Sequence, residues 1–168
     1  MTTVAVFGGS SKLGIRVAIA VGLLALGACA SAPPPAPPPP VPADFSVTAG
    51  ADINPDAGGR ASPVVVRVYY LLGDSTYRNS DFDALYDRPD AALGKDLLGR
   101  YEQVLRPGQS VQLKVDVPVG TRAVGAVAAF RDIGNSHWRA QAVNGDTPLK
   151  SIKVTVDGRQ VQIAVNTP

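Results

Sequence analysis

Beyond residue 43 the chain alternates apolar and polar positions with a period of two, the signature of strands with one buried face. Phe45, Val47, Ala49, Ala51 and Ile53 alternate with mostly polar neighbours and predict a first strand. Val64 to Leu72 is a nearly continuous β-branched and aromatic run, which predicts a strand buried on both faces, with Arg67 as the exception. Val111, Leu113, Val115 and Val117 alternate with Gln112, Lys114 and Asp116. Ala123 to Phe130 is small and apolar, predicting a central strand in close contact with another layer. Ile152, Val154 and Val156 face one side and are answered by Val161, Ile163 and Val165, with Asp157-Gly158 between them as a type I′ hairpin signal. Arg106-Pro107-Gly108-Gln109 predicts a second turn, pairing a strand near Arg100–Leu105 with Ser110–Val117. A further strand is expected near His137–Val143.

One stretch carries a helical pattern. Ser80 is placed to cap it, with Asp83 three residues on in the manner of a capping box. Phe82, Leu85 and Tyr86 supply its apolar face, Arg88-Pro89 stops it, and Pro89-Asp90 starts another turn through Leu93. The sum is an all-β, two-sheet sandwich of about eight strands with a short helical insertion, not an alternating α/β chain.

The region before residue 43 follows different rules. Val17 to Leu26 is an apolar run of ten residues, short of the roughly 20 that span a bilayer. The charges ahead of it, Lys12 and Arg16, are both positive, as in a signal peptide. Leu26-Gly27-Ala28-Cys29 then places the chain's single cysteine after three residues that suit a peptidase, and resembles a bacterial lipobox. That resemblance implies cleavage before Cys29 and lipidation that turns its sulfur into a thioether, which also accounts for a cysteine with no internal partner. No aspartate follows Cys29, which in such lipoproteins implies sorting to the outer membrane. Val4 to Gly14 resembles a strand and glycine-rich turn, but it lacks the G-x-G-x-x-G spacing of a dinucleotide site. Ala32 to Pro42 is a proline tract that suits an extended spacer, at about 3.1 Å per residue, or a ligand for a proline-recognising domain. The expected organisation is therefore a leader over 1–28, a lipidated cysteine and linker over 29–42, and a sandwich domain over 43–168.

Charge changes the picture once the leader is removed. The formal +2 of the whole chain resides in Lys12 and Arg16, leaving 14 basic and 14 acidic side chains beyond Cys29. No Lys/Arg run exists, so the footprint of a nucleic-acid binder is missing, and membrane attachment falls to lipid.

Candidate chemistry is sparse. His137 is the only histidine, and with Asp132 and Ser136 it lies on a strand connection, without a G-x-S-x-G elbow anywhere. Asp81, Asp83, Asp87 and Asp90 do not have calcium-loop spacing. Gly58-Gly59 lacks the lysine and following helix of a phosphate loop. The chain does not read as an enzyme, and no metal or cofactor is expected beyond acyl chains on Cys29. What remains is binding. Asn54-Pro55-Asp56-Ala57-Gly58-Gly59-Arg60-Ala61-Ser62-Pro63 is long for a tight hairpin and rich in turn residues, and loops on rigid sandwiches commonly carry recognition.

Several segments in fixed order carry a more specific likeness. These are the lipobox, Ile53-Asn54-Pro55-Asp56 leading to Ser62-Pro63-Val64-Val65-Val66-Arg67-Val68-Tyr69-Tyr70-Leu71, and Phe82-Asp83-Ala84-Leu85-Tyr86. Leu105-Arg106-Pro107-Gly108, Val124 to Ile133 and Trp138-Arg139 complete the series. Together they resemble the outer-membrane lipoproteins of type VI secretion systems, the SciN/TssJ/VasD family. The resemblance implies a transthyretin-like sandwich with an added helical piece. It implies a lipid-anchored outer-membrane protein that faces the periplasm and binds the periplasmic C-terminal region of a TssM/IcmF-type inner-membrane subunit. It implicates the first inter-strand loop, hence Asn54, Asp56 and Arg60 as polar contacts, Pro55 and Pro63 as shape-setting residues, and Gly58 and Gly59 through their backbone. The rival expectation is a lipoprotein that binds a small ligand or envelope glycan, for which Trp138, Tyr77 and Tyr101 are the available aromatics.

Overall fold

The alternating segments pair into two four-stranded sheets in a computed structural model that describes residues 38–168. Cys29, the leader and most of the proline tract lie outside the described residues. The first sheet has the order β4-β1-β7-β8, with β1 Val41–Ala49, β4 Ser110–Val117, β7 Ser151–Asp157 and β8 Gln160–Asn166. The second has the order β3-β2-β5-β6, with β2 Val64–Leu71, β3 Leu97–Leu105, β5 Ala123–Ala128 and β6 Arg139–Val143. All pairs are antiparallel except β1 with β7. The architecture is the expected all-β two-sheet sandwich.

The core lies between the sheets. Phe45, Val47, Ile152, Val154 and Val156 meet Val66, Val68, Val124 and Ala126, all buried. Each comes from one parity of its strand, so the period-two pattern is the cause of the packing. A second apolar cluster sits on the outer face of the β2–β5 sheet, where Tyr69, Leu71, Ala123 and Val127 meet Tyr77, Leu85 and Leu93. Those last three come from three short helices between β2 and β3: α1 Ser75–Asn79, α2 Phe82–Asp87 and α3 Pro89–Leu93. This layer explains why β2 and β5 are apolar on both faces where it covers them. It also explains Arg67, whose guanidinium lies over the Tyr86 ring at 4.1 Å and pairs with Glu102 on β3.

The small residues of β5 have the predicted cause. A Cβ on Gly125 would lie 2.5 Å from Tyr77 Cζ. The Tyr77 hydroxyl donates to the carbonyls of Ala126 at 2.9 Å and Ala140 at 3.1 Å, and burial pushes its ionisation well above the usual tyrosine range. The helical layer is thus fastened to the sheet through one glycine gap.

Four expectations require correction. The first strand ends at Ala49; Ala51 is exposed in a turn, although Ile53 is buried. The Arg106–Gln109 turn forms, with Gln109 N–H donating to Arg106 C=O and Gly108 at φ 74°, but it does not make a hairpin. β3 pairs with β2 and β4 with β1, so this turn carries the chain from one sheet to the other. In the β7–β8 hairpin Asp157 pairs with Gln160, leaving Gly158-Arg159 as the loop. Only Gly158 has positive φ, 52°, which fits glycine at the first central position of a II′ turn and excludes type I′. Finally, Asp81 caps α2, accepting from Ala84 N–H at 2.7 Å, while the Ser80 hydroxyl turns back to Thr76 C=O. β1 begins at Val41, which pairs with Val117, and Pro42 follows opposite Asp116. Proline is tolerated in the first residues of a strand.

Candidate functional site

The segment between β1 and β2 leaves the sandwich as a braced lobe. Its neck closes where Ser62 N–H donates to Ile53 C=O and the Asn54 amide nitrogen donates to Pro63 C=O at 2.7 Å. Its body is organised by one carboxylate. Asp56 Oδ1 accepts from the N–H groups of Gly58 at 2.9 Å and Arg60 at 3.0 Å, and Oδ2 pairs with Arg60 Nε at 3.1 Å. The backbone of Asp56 and Arg60 closes the same turn, helped by Gly59 at φ 80°. This is the local aspartate chemistry that favours turns over helix or ladder. The N–H of Arg60 is the largest influence on the Asp56 carboxyl and, joined by the Gly58 N–H and the Arg60 guanidinium, holds it below its usual range against desolvation, the second largest.

Asn54 has a role that sequence did not reveal. It is 4% exposed and adopts φ 48°, the left-handed region that asparagine tolerates better than most residues. Its N–H donates to Gly158 C=O at 2.7 Å, and its Oδ1 accepts from Arg131 N–H at 2.8 Å. Asn54 was expected as a polar contact for a partner; its amide is spent inside the protein, on Pro63 and on Arg131 of the β5–β6 segment, and its backbone N–H bonds the β7–β8 hairpin. The last two partners lie 77 and 104 positions away in the chain (Asn54 to Arg131 and to Gly158), beyond any local motif.

The other predicted residues divide by exposure. Arg60, Gly58, Gly59 and Pro63 are exposed, and Pro55 and Asp56 are half-buried. The Arg60 side chain is 81% exposed despite its ion pair. The lobe shares its end of the sandwich with the Arg106–Gln109 turn, where Gly108 N–H reaches Gly50 C=O, and with Arg131 to His137, where His137 N–H reaches Arg159 C=O. Arg106, Arg131 and Arg159 are exposed there, with Arg159 3.9 Å from Asp132.

No catalytic arrangement emerges at this end. Ser136 Oγ donates to Ile133 C=O, Asp132 accepts from the Asn135 amide, and His137 is exposed. Among the described residues no group of three or more His, Cys, Asp and Glu is placed to hold a metal ion. The aromatics considered for ligand stacking are occupied. Tyr77 is 1% exposed, Tyr101 packs edge-on to Phe45, and Trp138 packs edge-on to Phe82 with Arg139 over its ring. No helix among the described residues is long and apolar enough to cross a membrane.

Comparison with known proteins places this geometry in context. Residues 42–159 match the profile of a family described as type VI secretion lipoproteins, with VasD, EvfM and TssJ as named members. The fold is similar to that of the type VI lipoprotein TssJ1 from Pseudomonas aeruginosa, with a TM-score of 0.68 and 30% identity over 77% of this chain and 99% of that one. It shares the fold of Serratia marcescens Lip, described as a membrane-bound component of the type VI secretion system, with a TM-score of 0.65, 20% identity and the same coverages of 77% and 99%. A structure described as the type VI membrane complex matches with a TM-score of 0.60 and 25% identity, over 73% of this chain and 97% of that one. Comparison with curated proteins by sequence gives no significant match. The profile spans well over half of the residues, from the second residue of β1 to the β7–β8 turn, and the chain belongs to the type VI secretion lipoprotein family.

Proposed function

We propose that this chain is an outer-membrane lipoprotein, acylated at Cys29, that anchors the type VI secretion envelope complex by binding the periplasmic C-terminal region of a TssM/IcmF-type inner-membrane subunit. The observation that carries this reading is the β1–β2 lobe: an exposed loop, internally braced by Asp56 and bonded to two neighbouring loops through Asn54. A preorganised loop loses little freedom on binding, which favours recognition. Membership of the lipoprotein family supports the same reading, as does similarity to the structure described as the type VI membrane complex. The family is a structural component of the secretion system, and nothing in the site argues for turnover.

Arg60 offers the cleanest test, because its side chain is exposed while its backbone N–H bonds Asp56 Oδ1 whatever the side chain. Arg60→Glu in the domain from Pro38 to Pro168 is expected to weaken capture of a purified TssM/IcmF-type C-terminal region while the melting temperature holds. Equal capture by the two proteins would remove the lobe from the interface.

A further inference from the structure

The two ends of the sandwich differ in character. The lobe end is polar, with Arg60, Arg106, Arg131, Asp132 and Arg159 at its surface. At the opposite end the chain enters the domain, through Pro38 to Pro40 into Val41. Four of the five exposed large apolar side chains gather there: Val41 at 36%, Leu72 at 37%, Val119 at 48% and Val143 at 62% exposure. Register explains their meeting, since Val41 pairs with Val117, Leu71 with Ala123, and Ala123 with Val143. Leu72 and Leu98 both approach Gly120 beside Val119. A notch of about 140 Å³ opens among Val41, Pro118, Val119, Pro148 and Leu149. At the rim Arg122 is paired with Asp146, while Lys95 and Lys150 are exposed and make no ion pair among the described residues.

We propose that this end is a lipid-contact surface, resting on the bilayer that holds the acyl chains, with the lobe turned away from it. The inference rests on lipidation of Cys29 and extends that reading to the folded domain. Three observations select lipid as the occupant. Only eleven residues lie between Cys29 and Val41, so the apolar end is the part of the domain held nearest the membrane. Tethering on that length raises the local concentration of the bilayer enough to populate a contact too weak to persist alone. At the rim of the apolar patch the unpaired Lys95 and Lys150 outnumber the one exposed carboxylate without an ion pair there, Asp116 opposite Pro42, and complement anionic headgroups as interfacial surfaces do. The notch has no aromatic wall, which disfavours the chain's own proline tract as the occupant, since polyproline helices dock on aromatic-lined grooves.

The test uses full-length acylated protein in vesicles of phosphatidylethanolamine and phosphatidylglycerol. Acylation consumes the Cys29 thiol, so Val119→Cys or Gly58→Cys introduces a single labelling site for a fluorophore. The Val119→Cys label is expected to be quenched severalfold more by lipid-borne nitroxide than the Gly58→Cys label, with aqueous iodide giving the reverse order. Adding Leu72→Asp and Val143→Asp, both at exposed positions, should bring the Val119→Cys label towards the behaviour of the Gly58→Cys label. Iodide quenching equal at the two sites overturns the proposal. So does protection of the Val119→Cys label from both quenchers, which would mean that protein covers this end. Failure of the unlabelled protein to float with vesicles would sink the anchor itself, and the contact with it.

Discussion

Asn54 and Asp56 hold the lobe by different means, and the difference is measurable. Asn54 is buried; its amide nitrogen closes the neck of the lobe on Pro63, while its N–H and its Oδ1 bond segments that are remote in sequence. Asn54→Ala would leave the Pro63 carbonyl and the Arg131 N–H without that partner, and would force alanine into positive φ. A loss of about 1–3 kcal/mol in chemical denaturation is expected, the usual range for orphaned buried groups. A change within error would mean that the lobe is held from elsewhere. Asp56 acts locally and through charge. Its folded-state ionisation lies below the usual carboxylate range, chiefly because the Arg60 N–H favours the carboxylate. The bracing is therefore complete above the unfolded value and is lost as pH falls through the lower folded one. The protection of the Gly58 and Arg60 amides, taken as the observed exchange rate against the intrinsic rate at each pH, should hold at neutral pH and fall only below the ordinary carboxylate range. Protection that is lost near neutrality would point to another group.

At the scale of elements, the sharpest dependence lies where α1 meets β5. Tyr77 fills the space that a side chain at position 125 would need, with ring carbons 2.5 to 3.0 Å from an added Cβ. Gly125→Ala must displace the ring and strain both hydroxyl bonds, so a cost of about 1–3 kcal/mol is expected from overpacking. Thermal or urea unfolding would measure it, and a neutral result would show that the helical layer shifts freely on the sheet. The sequence signalled this contact in part. A run of small residues in β5 implied close approach, yet α1 itself went unread, because a five-residue helix burying only Tyr77 has no period to detect. The same limit separates the other successes from the corrections. Alternation locates β1, β2, β4, β7 and β8, because each buries one parity of side chains or both. It says nothing of which sheet a strand joins. The turn at Pro107-Gly108 is chemically a good turn whether it makes a hairpin or passes between sheets, and only the pairing of β3 with β2 decides. The lobe was legible from its glycines, proline and aspartate. The role of Asn54 was not, because its partners come from two other loops.

For the whole molecule, the consequence lies in the direction of β1. The strand enters at the apolar end and delivers the chain to the lobe nine residues later, a run of roughly 30 Å at the usual rise of an extended strand. On the proposed reading, attachment and recognition then belong to opposite ends of one sandwich, and a substitution at either should leave the other intact. Cys29→Ser is the decisive case on the proposed reading. It should abolish labelling by a radioactive or alkyne-bearing fatty acid and remove the protein from the outer-membrane fraction. The same variant, purified, should capture the TssM/IcmF-type C-terminal region as the domain alone does, because the lobe is untouched. Secretion by cells carrying only this variant should then fail, although folding and recognition both survive. Unchanged acyl labelling would show that residue 29 is not the attachment point. Lost capture by a normally folded variant would show that the anchor and the lobe are coupled, against the separation that the strand direction implies.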